Sequence, residues 1–243
     1  MPEKVSILGV EFDNRTKSGT IEAIHDKINE NKKTFIVTAN PEIVMHAVRD
    51  TNYMRTLQNA DHIIADGSGI IFAAKMLNNP LPERVPGVEL MRDLLRIANE
   101  DKRTVFFLGA REEVIIKTVE NVKRDYPNLI IGGYHHGFFK EDDPKIREMV
   151  KHANPDLVFV ALGFPKQENW IQNNYHAFEK GIFMGVGGSF EILAGTTKRA
   201  PLIWRKLNLE WLHRLMMQPS RWKRMLAIPL FVKSVWRDKK RKN

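Results

Sequence analysis

The chain has 243 residues, with 38 Lys and Arg against 29 Asp and Glu, which gives a net charge of +9 at neutral pH. Hydrophobic residues make up 43% and charged residues 28%, a composition that is typical of globular proteins and argues against extensive disorder. There is no cysteine, which excludes a disulfide framework, cysteine-ligated zinc, an iron–sulfur cluster and a catalytic thiol.

The first 197 residues alternate short apolar runs with amphipathic stretches of helical length. The predicted strands are 5–10, 35–39, 62–66, 104–110, 129–133, 157–163 and 182–187. The predicted helices are 20–31, 41–58, 67–77, 88–100, 112–126, 144–153 and 165–180. This alternation is typical of βαβ units, and strands that are apolar throughout are typical of a sheet covered on both faces. We therefore expect a Rossmann-like α/β domain over residues 1–197, with a mostly parallel sheet flanked by helices.

No segment has the pattern of a secretory signal or of a membrane span. The run from Val5 to Val10 is shorter than the apolar segment of a signal peptide and predicts a strand. No apolar run approaches the roughly 20 residues that are needed to cross a bilayer. The longest one near the C-terminus, from Met225 to Val232, contains Pro229. We therefore expect a soluble or peripheral protein.

The positive charge is concentrated in residues 198–243, which we treat as a basic helical appendage. This segment holds 14 of the basic residues, two acidic residues and four of the five tryptophans, so the rest of the chain has a net charge of −3. Such a segment suits an acidic membrane surface, where Trp lies at the headgroup level, or nucleic acid. A solvated basic tail is the third interpretation.

The spacing of apolar residues in the appendage predicts two helices. The first carries a stripe that includes Trp211 and Met216, ends at Pro219, and is expected to pack against the α/β domain. The second is expected to start at Ser220 as its N-cap and to lie at a membrane interface.

Polar residues follow two of the predicted strands, at the points where the chain enters a helix. In a parallel sheet, ligands bind beyond the carboxyl ends of the strands, so these residues are candidates for chemistry. Asn40 precedes Pro41 and either caps a helix or, together with Thr38, binds a phosphate at the helix N-terminus. Asp66 ends the next strand ahead of two glycines, and it is either a helix cap or a general base.

Two later strand ends add a cation and a glycine-rich turn. Lys166 and Gln167 lie in the first turn of a predicted helix, where a surface lysine or a bound anion explains the cation. The segment 185–190 resembles a phosphate-binding turn, but Phe190 stands where the third small residue of G-x-G-x-x-G should be. There is no Asp-x-Asp or His-Glu-x-x-His pattern, so we expect no metal site. Arginines, lysines and helix N-termini would then offset the charge of a bound diphosphate.

An ordered set of motifs spans the chain from about Val5 to Phe231. The motifs are Thr38-Ala39-Asn40-Pro41-Glu42, Ala65-Asp66-Gly67-Ser68-Gly69, Pro82-Glu83-Arg84-Val85-Pro86-Gly87, Leu162-Gly163-Phe164-Pro165-Lys166-Gln167-Glu168, Gly185-Val186-Gly187-Gly188-Ser189, Lys198-Arg199-Ala200-Pro201, and the segment from Glu210-Trp211 to Arg224. Each is weak alone, but in this order and spacing they closely resemble the WecG/TagA/CpsF glycosyltransferases, most of all the wall teichoic acid branch.

The resemblance implies an inverting glycosyltransferase that needs no metal or other cofactor. Such an enzyme moves N-acetylmannosamine from UDP-ManNAc to GlcNAc on undecaprenyl diphosphate and makes a β-1,4 linkage for teichoic acid synthesis. The resemblance also implies a cytoplasmic enzyme that is peripheral on the inner face of the plasma membrane. Its appendage, residues 198–243, would dock on the anionic membrane surface and complete the active site. Nucleic acid is not an expected partner, and self-association is left open.

The resemblance assigns roles to residues at matching motif positions. Asp66 matches the general base, which takes the proton from the acceptor hydroxyl as that oxygen attacks the anomeric carbon. The matching substrate-binding positions are Thr38, Asn40, Arg84, Gln167, Arg214, Arg221 and Arg224. The three arginines of the appendage would stabilise the charge that develops on the departing UDP.

Two other functions stay open at this point. A transferase of the same family could use another donor, such as UDP-glucose or a UDP-uronic acid, because the residues do not reveal the sugar. The chain could also be a non-enzymatic α/β module that binds a nucleotide or nucleic acid through its basic segment. The absence of an aromatic RNA-reading strand pattern and of helix-turn-helix or zinc-finger patterns argues against that module.

Overall fold

The computed structural model describes residues 4–140, 142–201, 203–204, 210–217, 222 and 226–242. Its strands are β1 Lys4–Ile7, β2 Val10–Asp13, β3 Lys33–Ala39, β4 His62–Ala65, β5 Thr104–Gly109, β6 Ile130–His135, β7 Leu157–Ala161 and β8 Gly181–Gly185. Its helices are α1 Lys17–Asn29, α2 Pro41–Arg49, α3 Thr51–Gln58, α4 Ser68–Met76, α5 Gly87–Glu100, α6 Glu112–Asp125, α7 Pro144–Ala153, α8 Lys166–Asn174, α9 Ser189–Leu193, α10 Glu210–Met217 and α11 Ala227–Lys242.

Six strands form one parallel sheet in the order β4-β3-β8-β7-β5-β6. Helices cover both faces, and successive side chains of a strand enter different cores: Phe106 packs with the α2, α3 and α4 side, whereas Phe107 packs with the α5 and α6 side. The prediction of a Rossmann-like, mostly parallel α/β fold is therefore confirmed. In this topology the carboxyl ends of all six strands lie at one edge, which we call the carboxyl edge.

The N-terminal run was predicted as one strand, and this prediction is wrong. Residues 4–13 form a two-stranded antiparallel hairpin that is separate from the main sheet. The reason is a turn inside the apolar run, where Leu8 and Gly9 both have positive φ, at 53° and 84°. Two successive residues of this kind suit a tight hairpin turn, and Gly9 was its sequence signal.

The stretch 41–58 was predicted as one helix, but the structure divides it into α2 and α3. Asp50 stands between them in an extended conformation, and its Oδ1 accepts hydrogen bonds from the backbone N–H groups of Asn52 and Tyr53. An aspartate that caps a new helix in this way ends the previous one.

The last helix, α11, is part of the folded body. It packs against α2 and α4, and Phe231 and Val235 are fully buried in the same core as the sheet. Leu230 and Trp236 are 43% and 49% exposed. The expectation of an interfacial helix thus applies to one side of α11 at most, because its other side is covered by protein. The expected N-cap Ser220 lies outside the described residues.

The expected packing of the first appendage helix is also wrong in part. In α10, Trp211, Met216 and Met217 are 37%, 64% and 71% exposed, whereas the buried residue is Glu210, at 8%. Leu212 and Leu215 are half-buried, and Glu210 forms ion pairs with the body. Among the described residues, no helix has the length and apolar character that crossing a membrane requires.

Candidate active site

Two neighbouring strands, β3 and β4, bring the predicted residues Thr38, Asn40 and Asp66 to the carboxyl edge. The backbone N–H of Asp66 donates to the carbonyl of Ala39 over 3.0 Å, which places the end of β4 beside the end of β3. On the other side, Thr38 Oγ1 donates to the carbonyl of Gly185 over 3.3 Å and so joins β3 to the end of β8. The predicted convergence of these strand ends is therefore present.

Asp66 is half-buried at this edge, directly before α4. The N-cap position of α4 belongs to Gly67, which has no side-chain cap hydrogen bond. Asp66 therefore lies one residue before the N-cap position of α4. A partly exposed carboxylate beyond a strand end is a position from which a base can reach a bound hydroxyl.

The two glycines after Asp66 allow α4 to start against α2. A Cβ atom at Gly67 would lie 2.8 Å from Pro41 Cδ, and one at Gly69 would lie 2.7 Å from Pro41 Cγ. Distances this short are not tolerated between carbon atoms, so both positions require glycine. The first turns of α2 and α4 therefore lie side by side and next to Asp66, and a helix N-terminus favours an anion.

Asn40 caps α2, as one of its two interpretations predicted. Its Oδ1 accepts hydrogen bonds from the backbone N–H groups of Glu42 and Ile43 at 2.9 and 3.1 Å. The side chain is half-buried at the edge and so fixes the position of the helix N-terminus there. This capping role is compatible with contact to a substrate, because the amide NH₂ is the part that it does not use.

Gln167 is buried below the carboxyl edge, with 4% of its surface exposed. Its Oε1 accepts a hydrogen bond from the backbone N–H of Gly187 at 3.0 Å, and its Nε2 donates to Glu168 Oε1 at 2.7 Å. The first bond supports the glycine-rich turn between β8 and α9, where Gly187 has a φ of +49°. Lys166, at the start of α8, is exposed.

Glu168 is a residue whose importance the sequence does not reveal. It is 1% exposed, and burial raises the pKa of its carboxyl to about 7 although the hydrogen bond from Gln167 opposes the shift. Its Oε2 has no hydrogen-bond partner among the described residues. The buried Tyr53 hydroxyl lies close to it but outside hydrogen-bonding geometry, and burial, followed by the charge of Glu168, raises the pKa of Tyr53. A glutamate in the first turn of a helix is common, so no sequence signal marks this one.

Arg84 lies at the same edge, next to the end of β4. The residue after it, Val85, donates its backbone N–H to the carbonyl of Ala65 over 2.9 Å. The guanidinium of Arg84 is largely buried and lies 3.4 Å from Oε2 of Glu210, the first residue of α10. The appendage therefore reaches the carboxyl edge in this structure.

A second arginine, Arg199, joins the same group of charges. Its guanidinium donates to Glu89 Oε1 over 2.6 Å and lies 3.9 Å from Glu210 Oε1. Burial opposes ionisation of Glu89, but the hydrogen bond and charge of Arg199, with the charge of Lys17, outweigh it and lower the pKa of Glu89. We call Arg84, Glu210, Arg199 and Glu89 the joint, because they connect the appendage to α5. The sequence analysis did not predict the contacts of Arg199 and Glu210.

The three predicted appendage arginines are described to different extents. The backbone of Arg214 lies in α10, one helical turn after Glu210. Arg221 and Arg224 lie outside the described residues. Over the described part of the chain, no three His, Asp or Glu side chains come together to form a group that could hold a metal ion.

The edge as a whole combines a carboxylate, two helix N-termini and a guanidinium. A carboxylate can accept a proton from a hydroxyl, while cationic groups and helix N-termini stabilise an anion such as a departing diphosphate. Such groups can serve a transfer from an activated, anionic donor.

Comparison with known proteins identifies the family of the chain. The sequence model of the family described as "Glycosyl transferase WecG/TagA/CpsF family" matches residues 5–243. A Staphylococcus aureus (strain MW2) protein named N-acetylglucosaminyldiphosphoundecaprenol N-acetyl-beta-D-mannosaminyltransferase is 42% identical over 240 residues, which are 98% of this chain and 94% of that protein. A Bacillus spizizenii protein of the same name is 43% identical over 208 residues, 86% of this chain and 80% of that protein. The match covers both the strand ends around Asp66 and the appendage, and the chain therefore belongs to the WecG/TagA/CpsF family of glycosyltransferases.

Proposed function

We propose that this enzyme transfers N-acetylmannosamine from UDP-ManNAc to the N-acetylglucosamine of an undecaprenyl-diphosphate-linked acceptor, with inversion and a β-1,4 linkage. The observation that carries the proposal is the position of Asp66, a half-buried carboxylate between two helix N-termini, in a chain 42% identical to a relative named for mannosaminyl transfer to this lipid. The activity belongs to the linkage-unit stage of teichoic acid synthesis.

Asp66 is the general base in this proposal. It takes the proton from the 4-hydroxyl of the acceptor GlcNAc while that oxygen attacks the anomeric carbon of ManNAc and the bond to UDP breaks. One displacement inverts the anomeric centre, so a single positioned base is sufficient. The proton ends on the carboxylate of Asp66, and the electron pair of the broken bond leaves with UDP.

The diphosphate of the donor is held by cations and by backbone N–H groups. Arg84 is the cation at the edge, and Arg214, Arg221 and Arg224 are the cations that the appendage adds. Charge accumulates on the leaving phosphate in the transition state, so cations placed there accelerate the reaction rather than only tightening binding. The proposed chemistry needs no metal ion, and we expect EDTA to leave turnover intact.

The remaining predicted residues shape the pocket. Thr38 and Asn40 are half-buried at the edge and present polar groups to a bound substrate. Gln167 is buried, so its contribution passes through Gly187, whose N–H it fixes.

The appendage docks the enzyme on the cytoplasmic face of the membrane, where the lipid-linked acceptor resides. Trp222, Leu226, Leu230 and Trp236 are 54%, 51%, 43% and 49% exposed in a segment rich in lysine and arginine. Exposed aromatic and apolar side chains together with basic residues suit the headgroup region of an acidic bilayer. Binding to anionic vesicles that weakens with added salt supports this part of the proposal.

A donor screen with matched variants tests the proposed reaction. The wild-type enzyme is given a lipid-linked GlcNAc acceptor and UDP-ManNAc, UDP-GlcNAc, UDP-glucose or a UDP-uronic acid, and UDP release is measured. We expect turnover with UDP-ManNAc, and a loss of about 10²- to 10⁴-fold in Asp66→Asn, which cannot accept the proton. Asp125→Asn, at an exposed position on α6, is the control and should keep wild-type turnover. Preference for another donor, or full activity of Asp66→Asn, contradicts the proposal.

A further inference from the structure

The contact between α10 and the α/β domain rests on charge at a position where little water reaches. Glu210 is 8% exposed as a whole residue, and its two oxygens face different arginines, Arg84 at 3.4 Å and Arg199 at 3.9 Å. The side chain of Arg199 is 11% exposed and makes the short bond to Glu89. The joint thus forms an alternating chain of charges that runs from the appendage to the first turn of α5.

A carboxylate at a helix N-terminus is favourable without any partner, because it complements the helix dipole. That effect explains an acidic residue at the start of α10, but it does not explain why the residue is buried. An exposed glutamate would satisfy the dipole at no desolvation cost. Burial between two guanidinium groups instead makes the contact specific, because each charge left without its partner would be strongly unfavourable there.

The apolar residues of α10 do not supply an alternative contact of comparable burial. Trp211, Met216 and Met217 are exposed to the extents given above, and Leu212 and Leu215 are half-buried. Among the described residues of α10, Glu210 is the one that is buried. Among the described residues, the joint is therefore the most buried contact that α10 makes.

We infer that Glu210 and Arg199 are positioning residues, which seat α10 on the α/β domain and thereby fix where the backbone of Arg214 lies for the transfer step. This inference rests on the proposed function for its reaction, and it assigns to Glu210 and Arg199 no contact with the substrates. Arg214 follows Glu210 by one turn of the same short helix, so a shift of the joint moves it directly.

A double-mutant cycle tests whether Glu210 acts through Arg214. We expect Glu210→Gln to lower kcat by about 10- to 100-fold, as misplacing a group by an ångström does, with a change in KM for the donor below threefold. Arg214→Gln should lower kcat as well. If Glu210 only positions Arg214, the double variant is no slower than Arg214→Gln within about twofold. Losses that multiply would overturn the inference, because the two residues would then act independently.

Amide hydrogen exchange of residues 210–217 tests the joint without any substrate. We expect faster exchange in Glu210→Gln and Arg199→Gln, because each loses a charge partner that holds α10. Arg199→Lys keeps a cation and should restore most of the protection and of the turnover. Unchanged exchange in both glutamine variants would overturn the inference.

The exposed pair Arg96 and Glu100 on α5 offers a matched control. Its N–O distance is 2.9 Å, but both side chains are 56% exposed. Arg96→Gln and Glu100→Gln should change neither turnover nor exchange in 210–217, since exposed pairs contribute little. Thermal unfolding of every variant checks that it folds. If Glu210→Gln does not fold, the comparison of Arg199→Lys with Arg199→Gln tests the inference instead. A wild-type enzyme that is inactive on UDP-ManNAc but shows the expected exchange pattern would refute the proposed function and leave the docking by Glu210 and Arg199 standing.

Discussion

Gln167 donates from Nε2 to Oε1 of Glu168, the next residue of α8, over 2.7 Å. This bond fixes which end of the Gln167 amide faces Gly187, because the other end must then present its oxygen to the Gly187 N–H. A buried acid thus determines the orientation of a buried amide, and the amide supports a turn at the carboxyl edge.

The pKa of Glu168 predicts how stability changes with pH. The native state keeps its proton up to about pH 7, whereas the unfolded chain loses it near the ordinary value of 4.5. Between these values the native state binds more protons, so the contribution of Glu168 to the free energy of unfolding falls as pH rises, by on the order of 3 kcal/mol in total. Glu168→Gln stays neutral and keeps an oxygen that accepts from Gln167, so it should lack this fall.

Urea unfolding of the wild type and of Glu168→Gln at pH 5 and pH 8 checks this prediction. The variant should gain stability relative to the wild type at pH 8. Glu113→Gln, which changes an exposed glutamate on α6, is the control and should follow the wild-type pH dependence. Parallel curves for the wild type and Glu168→Gln would show that burial does not raise this pKa.

Replacing Gln167 by leucine should damage both the fold and the turn. The change leaves the Gly187 N–H without its acceptor and Glu168 without its donor, at about 1–3 kcal/mol for each buried polar group that stays unpaired. We also expect weaker binding of UDP, measured by calorimetry, because the turn after β8 loses its support. Asn173→Ala, at an exposed position of the same helix, should leave both quantities unchanged. Wild-type stability of the leucine variant would mean that water replaces the amide.

A methyl group at Gly67 should separate α2 from α4. The added carbon would lie 2.8 Å from Pro41 Cδ, so we expect Gly67→Ala to lower the free energy of unfolding by about 1–3 kcal/mol. At Gly19 in α1 the nearest side-chain atom would be 3.4 Å away, and Gly19→Ala should be neutral or stabilising by up to about 1 kcal/mol. Thermal unfolding compares the two, and equal stability of both variants would argue against the tight contact.

Substitutions on the buried and on the exposed side of α11 should have opposite effects on stability and on membrane binding. Phe231→Ala removes a fully buried ring and should cost about 3–5 kcal/mol of stability. Trp236→Ala removes a half-exposed ring that Lys240 covers at 3.8 Å, and it should cost about 1 kcal/mol or less. For binding to anionic vesicles, in contrast, the tryptophan variant should lose affinity. Vesicle binding that is unaffected by Trp236→Ala would remove this side of α11 from the membrane contact.

The sequence was sufficient for the sheet and for the convergence of strand ends, because both depend on local periodicity. Apolar runs separated by helices define a parallel sheet, and a parallel sheet brings Thr38, Asn40 and Asp66 to one edge without further information. The hairpin turn at Gly9 and the helix break at Asp50 also had local signals, which the longer hydrophobic pattern obscured.

The ion pairs of the joint and the packing of α11 could not be predicted, since they depend on residues that are far apart in the chain. Arg84 and Glu210 are separated by 126 residues, and nothing in either neighbourhood indicates the other. The same holds for α11, because an amphipathic helix with an apolar side fits a membrane and a protein surface equally well. Phe231 belongs to the protein core through its tertiary contacts with α2 and α4, which no periodicity encodes.

The docking of α11 on α2 and α4 has a geometric consequence. The N-caps of these two helices are Asn40 and Gly67, and Gly67 directly follows Asp66, so the chain's final helix packs on the two helices that start next to the proposed base. The packing of α11 on α2 and α4 therefore sets the distance between the outer side of α11 and the carboxylate of Asp66. If the outer side of α11 contacts the membrane as proposed, the distance between the bilayer and Asp66 is fixed, and the enzyme would select acceptors by the distance between their lipid and their sugar.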